Sequence, residues 1–151
     1  MALKHGDRHD IVKTAADWMI GAGANPLAPD TVVIPVPLHL TRLLKRKYNQ
    51  SALLAQAIAA RRKLVYCPDG LLRIRRTASL DGKNRADRFA ELSDSIVPNP
   101  KRSALLKDRP ILLIDDVMTS GATLGACSLA CHSAQSREIC VMVLARVAKA
   151  A

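Results

Sequence analysis

The apolar run Ile111-Leu112-Leu113-Ile114 passes straight into two carboxylates, Asp115-Asp116, and then into Val117-Met118-Thr119-Ser120-Gly121-Ala122-Thr123. The run predicts a buried strand over 110–114, and the alanine-rich stretch 121–134 predicts a helix behind it. In a parallel α/β sheet the two acids then stand at the carboxyl end of a strand, where such sheets bind ligands. The loop after them offers small residues, hydroxyls and free backbone N–H groups at a helix N-terminus, and Gly121 lets the backbone come close. That is a recipe for a phosphate cradle. Carboxylates facing a phosphate would repel it. They fit if they accept hydrogen bonds from hydroxyls a few ångströms away, as on a ribose.

Three other readings compete for the same residues. A Walker B strand also ends in acids, but the chain contains no G-x-x-x-x-G-K-[ST] loop to go with it. A receiver domain carries paired acids early in its fold, whereas only 35 residues follow Asp116 here. A merely capped turn would account for Thr-Ser-Gly-Ala-Thr but not for the acidic pair that closes an apolar strand.

The elements that must position these residues alternate along the chain. Asp10–Ile20 has the helical period, with Ile11, Val12, Ala15, Ala16 and Ile20 apolar, and ends near the Asn25-Pro26 turn. Thr31–Val36 reads as a buried strand, with Pro35 and Pro37 taking the chain out of the ladder into a shaped loop. Asn49 or Ser51 caps a helix carrying Leu53, Leu54, Ala57 and Ile58, which ends at Arg61-Arg62-Lys63, where cations suit the helix C-terminus. Pro68-Asp69-Gly70 is a turn, Leu71–Arg75 a strand, 77–82 a basic loop, and 84–92 a short helix with Ala86, Phe89 and Ala90 inward. Ser95–Val97 is a brief strand, and Ile139–Leu144 the final apolar one. This alternation predicts an α/β fold: a parallel sheet with helices on both faces, in one domain spanning residues 1–151.

Charge is unevenly placed. Lys and Arg number 23 against 13 Asp and Glu, a formal net charge of +10. Residues 42–88 hold 13 basic side chains and three acids, Asp69, Asp81 and Asp87, and the rest of the chain balances. Such a field attracts polyanions: nucleic acid, anionic membrane or a multiply phosphorylated small molecule. Trp18, Tyr48, Tyr66 and Phe89 are the only aromatics, few for a stacking platform. The cysteines, at 67, 127, 131 and 140, form no CxxC pair. Cys127, Cys131, His132 and Cys140 fit no common zinc spacing, which favours core thiols over metal. No apolar run approaches a membrane span and the first dozen residues lack a signal-peptide core, so the expectation is a soluble cytoplasmic chain.

At the 111–123 motif the sequence resembles the phosphoribosyltransferases, whose binding motif for 5-phosphoribosyl-1-pyrophosphate (PRPP) is four hydrophobics, two acids, a spacer and T-[ST]-G-x-[TS]. Within that superfamily it is similar to the ComF/GntX branch, associated with competence and DNA uptake. The supporting residues are Val33–Leu40, Arg46-Lys47-Tyr48-Asn49-Gln50, Arg73–Thr77, Gly82–Arg88 and Val143–Val147, so the resemblance runs from Leu3 onward. Leu80 and Glu91 depart from the Gln and Asn of relatives, and the cysteine-rich zinc-binding segment with which relatives begin has no counterpart.

The resemblance implies a type I phosphoribosyltransferase-like fold and PRPP as substrate. Asp115 and Asp116 would hold the ribose 2′ and 3′ hydroxyls. Thr119, Ser120, Gly121, Ala122 and Thr123 would wrap the 5-phosphate. Pro37, Leu38 and His39, in the loop from Pro35, would bind pyrophosphate through backbone amides, often at an unusual peptide bond in the family, with Arg42 and Lys47 neutralising its charge. The 77–88 segment would close over the site, bringing Lys83, Arg85 and Arg88 above the departing pyrophosphate; Arg85 joins the two acids as catalytic. Mg²⁺ enters on the substrate's oxygens, with no protein metal cage. The implied activity is phosphoribosyl transfer to a nitrogen acceptor, a nucleobase being the generic guess. The alternative is a non-enzymatic PRPP- or nucleotide-sensing adaptor whose basic 42–88 region contacts DNA or a DNA-uptake partner. Neither reading involves a membrane, and both leave oligomeric state open.

Overall fold

Two β-branched and leucine-rich runs form the middle of a four-stranded sheet in the computed structural model of the chain, which describes residues 5–23, 27–38, 48–75 and 84–147. The side chains of 5–9, 85, 88, 89 and 91 lie outside that description. In chain order the elements are α1 (His5–Ala22), β1 (Val32–Pro35), α2 (Gln50–Arg62), β2 (Val65–Tyr66), β3 (Leu71–Arg73), α3 (Arg85–Ser93), β4 (Ile96–Pro98), a 3-10 turn (Pro100–Arg102), α4 (Ser103–Leu106), β5 (Ile111–Met118), α5 (Ala122–Ser133) and β6 (Ile139–Arg146). The sheet runs β2-β1-β5-β6, with every neighbouring pair parallel.

Alternation along the central strands feeds two cores. Val32, Ile34, Ile111 and Leu113 enter one with Ala126, Cys127, Ala130 and Cys131 of α5. Val33, Leu112 and Ile114 enter the other with Ala15, Ala16 and Met19 of α1 and Leu54, Ala55 and Ile58 of α2. The parallel sheet is therefore covered on both faces, the α/β fold class expected for a type I phosphoribosyltransferase-like chain.

Pro35 stays inside the ladder, contrary to the expectation that it ends it. Amides of even-numbered β1 residues point at β5: Val32 N–H donates to Pro110 O and Val36 N–H to Ile114 O, each at 2.9 Å. Odd-numbered residues point at β2, where Cys67 N–H donates to Val33 O. β2 has ended at Tyr66 by the level of Pro35, so the missing N–H of Pro35 costs no hydrogen bond.

Several elements differ from their sequence expectation. β3 and β4 pair antiparallel in a small sheet of their own, with Leu72 opposite Val97, rather than joining the parallel one. Asp69 fixes the turn before β3: Arg102 donates Nε and Nη2 to its two carboxylate oxygens at 2.8 and 3.0 Å, and Asn99 Nδ2 to its carbonyl at 2.8 Å. Gly70 lets that turn press on the sheet, since a Cβ there would meet Ile34 Cδ1 at 2.9 Å. Among the described side chains of α3, Leu92 is buried and Ala86 and Ala90 are exposed, while that of Phe89 lies outside the description. Ile11 and Trp18 of α1 are exposed as well, because Ala15, Ala16 and Met19 supply its buried stripe. β6 is half-exposed, being an edge strand with a neighbour on one side only.

Candidate functional site

The connections of the sheet part company above β1 and β5. After β1 the chain runs through α2 to β2 on one side; after β5 it runs through α5 to β6 on the other. Where neighbouring strands send their connections in opposite directions, a crevice opens at their carboxyl ends. Asp115 and Asp116 stand at the carboxyl end of β5, with the turn into α5 following them in the chain and the start of α2 reaching Asp115 through Ser51.

β5 continues through both acids to Met118, further than the sequence run suggests. Its pairing with β1 stops at Pro35 opposite Ile114, while pairing with β6 carries on from Asp115 opposite Val143 to Met118 opposite Arg146. The carboxylate of Asp115 therefore reaches past the end of β1 to α2. Its Oδ1 accepts the Ser51 hydroxyl at 2.9 Å and the Asp116 N–H at 2.9 Å. Oδ1 of Asp116 accepts the Val117 N–H at 2.9 Å. Both acids are half-buried. Burial raises the pKa of Asp115 to about 6, with Asp116 adding to it and the hydrogen bond from Ser51 opposing it.

The turn after β5 leads through Gly121 directly into the N-terminus of α5. Gly121 sits at φ 78 and ψ 3, the left-handed region, immediately before α5. Ser120 Oγ accepts the Ala122 N–H at 3.4 Å, and Gly125 N–H returns to Gly121 O at 2.9 Å. Gly121 at the N-cap offers no side chain, so beyond the Ala122 N–H held by Ser120 the first-turn amides of Thr123 and Leu124 remain as donors. Thr119 is exposed, Ser120, Gly121 and Thr123 are half-buried, and Ala122 is buried. A Cβ on Gly121 would touch only Met118 Sδ, at 3.7 Å, so the constraint is its backbone angle rather than space. Gly121→Ala is expected to lower stability by about 1–2 kcal/mol, read as a drop in melting temperature with the far-UV spectrum unchanged. An unaltered melting curve would show that the turn tolerates another conformation.

Pro37 is buried and Leu38 half-buried at the end of β1. Pro37 has no N–H, so amide donation from this segment starts at Leu38. Every peptide bond among the described residues is trans. His39, Arg42, Lys47 and Lys83 lie outside the described residues. Arg85 opens α3, whose N-cap Asn84 accepts the Asp87 N–H at 2.9 Å; α3 packs against α5, and the side chains of Arg85 and Arg88 lie outside the description. Much of the basic stretch, residues 42–47 and 76–83, lies outside the described residues. Arg61, Arg62 and Lys63 are at the C-terminal end of α2, the end remote from Ser51, and Arg61 pairs with Asp17.

Ser51 belongs to this site although its sequence position suggested a helix cap. Asn49 is the cap: its Oδ1 accepts the Ser51 N–H at 3.0 Å and its Nδ2 donates to Val36 O at 3.0 Å. That frees the Ser51 hydroxyl for Asp115. The thiols behave as core groups. Cys127 and Cys131 are buried in α5. Burial, then Cys131 and Asp115, push the Cys127 thiol far above its ordinary pKa, against an opposing pull from Arg73. Burial pushes Cys131 up to about 12. Thiols held protonated this way are poor metal ligands, and no cluster of three His, Cys, Asp or Glu suited to a metal occurs among the described residues. No helix among them is long and apolar enough to cross a membrane.

No protein-family model matches the chain. Competence protein F of Haemophilus influenzae is 31% identical to it over 114 residues, which cover 76% of this chain and 49% of that protein. The chain thus spans about half the length of the curated relative it matches. The similarity to Competence protein F runs across three-quarters of this chain's own length.

Proposed function

We propose that the chain binds PRPP, carried in with Mg²⁺ on the substrate's own oxygens, and transfers its phosphoribosyl group to a nitrogen acceptor, a nucleobase being the class of first choice. The observation that carries this reading is the meeting of two half-buried carboxylates with a helix N-terminus whose N-cap is Gly121, at the carboxyl end of β5. Acceptors for a diol and donors for a phosphate lie side by side, which is the pattern a 5-phosphoribosyl group requires. Oxygen donors line the crevice and the thiols beneath are protonated, a setting that suits a hard cation kept on substrate oxygens.

In this reaction the bond from C1 to pyrophosphate breaks through an oxocarbenium-like transition state. The leaving group departs with the bonding pair, the acceptor nitrogen bonds to C1, and the acceptor loses a proton. Asp115 and Asp116 grip the diol and stand near the cationic ring, the amides of the α5 turn anchor the 5-phosphate, and the resemblance assigns Arg85 to the charge that builds on pyrophosphate. Orientation and electrostatics supply the acceleration. The name of Competence protein F, to which the chain is similar, supports a role in competence.

Saturating PRPP with Mg²⁺ is expected to raise the melting temperature by roughly 5–10 °C, because about 100 Kd of a ligand bound only by the native state contributes about 2.7 kcal/mol. The shift should vanish in the Asp115→Asn, Asp116→Asn double variant. If PRPP leaves melting untouched while duplex DNA raises it in a salt-sensitive way, a DNA-binding adaptor replaces this reading. Pyrophosphate release across a panel of bases then identifies the acceptor.

A further inference from the structure

Ser51 lies 64 positions before Asp115 in sequence and on a different element, yet its hydroxyl donates to Asp115 Oδ1 at 2.9 Å. The donor is itself fixed. Ser51 is 4% exposed in the first turn of α2, and its N–H is bound by the Oδ1 of Asn49. Asn49 in turn donates to the carbonyl of Val36, the first residue after β1. One short chain of hydrogen bonds therefore joins the end of β1, the start of α2 and the first acid of the pair. Ser51 and the Asp116 amide both donate to Oδ1 of Asp115, which fixes the rotation of its carboxylate.

We infer that Ser51, anchored by Asn49, is a positioning residue that holds the carboxylate of Asp115 ionised and turned toward the ribose diol. The inference rests on the PRPP reading above and adds the residue that sets the orientation and charge of its diol acceptor. A hydroxyl donor favours the charged form of a carboxylate and opposes the burial that disfavours it. The titratable groups facing Asp115 among the described residues are Asp116 beside it on β5 and the Cys127 thiol from α5, which itself senses Arg73. Its register partner on β6 is the uncharged Val143, and β1 ends at Pro35. Among the described residues the Ser51 hydroxyl is the side-chain donor on this carboxylate, beside the backbone N–H of Asp116. The same arrangement fixes the rotation of the carboxylate, a geometric role that a charge alone would not fill.

The test compares wild type, Ser51→Ala and Ser51→Thr by two measurements. PRPP with Mg²⁺ is titrated calorimetrically from pH 5 to 8, and the Asp115 carboxyl is followed by carbon NMR in the ligand-free protein. Ser51→Ala is expected to weaken PRPP binding roughly ten-fold at pH 7, and to move the midpoint for both binding and carboxyl titration up by about one pH unit. Ser51→Thr, which keeps the hydroxyl, should restore the midpoint. An alanine variant with the wild-type carboxyl titration overturns the inference. If no variant binds PRPP but the carboxyl midpoint still moves, the link from Ser51 to Asp115 stands and the PRPP reading falls. A folded Ser51→Ala with altered titration but full PRPP affinity at every pH overturns the positioning role.

Discussion

Replacing Asp115 by Asn is expected to raise the melting temperature at pH 7 while abolishing the response to PRPP. The carboxyl of Asp115 titrates at about 6 in the folded protein, chiefly because burial disfavours its charge, against an ordinary value near 3.9. The folded state thus binds this proton more tightly than the unfolded chain does. Its contribution to stability is fully present below about pH 4 and is lost as pH rises through about 6. At neutral pH the ionised group works against the fold, by about 1–3 kcal/mol. Asparagine keeps an oxygen for the Ser51 hydroxyl and the Asp116 amide without the charge. The gain should therefore appear at pH 7 and disappear at pH 4. Melting curves of the two proteins at both pH values decide it, and equal curves at pH 7 would show that the acid carries no such burden. A site group that costs stability where it is ionised is what functional demand leaves behind.

The second large effect lies in the core beneath the site. Leu113 is fully buried in β5, between β1 and β6 and against α5. Leu113→Ala leaves a cavity that the two neighbouring strands hold open, at a cost of about 2–5 kcal/mol. In a chain of this size that lowers the melting temperature by roughly 5–15 °C. Urea titration should report the loss as a lower midpoint with the slope unchanged. A loss below about 1 kcal/mol would mean that α5 collapses into the space, and the turn around Gly121 would then move with it.

How far the fold was legible depended on whether the signal was local. TVVIPV and the run at 111–114 announced the two central strands because strands buried on both faces need continuous apolar side chains. The alanine-rich α5 and the cap at Asn49 were also readable. β2 was not, since Val65-Tyr66 is two residues long and pairs only because β1 is already there. The separate pairing of β3 and β4 joins segments more than twenty residues apart, and no periodicity encodes it. In α3, alanine methyls are too small to decide which face turns inward, and Leu92 is the buried side chain among those described. At the site, the acids and the glycine turn were legible as one contiguous motif. Ser51 was visible only as a helix-cap residue; its bond to Asp115 is a tertiary fact. The one hint was redundancy: two residues, Asn49 and Ser51, suited a cap that needs one.

Because β5 outruns β1, its last four residues have, among the described residues, a strand partner on one side only, β6, and a side-chain tie to α2 at Asp115 alone. The strand behaves as a beam clamped at Ile114 and cantilevered beyond it. The clamped half transmits the rigidity of both cores, while the overhang carrying the acids can flex by small amounts without opening either core. Closure around a small molecule would then tax the overhang alone, and the scaffold that sets its direction would stay intact.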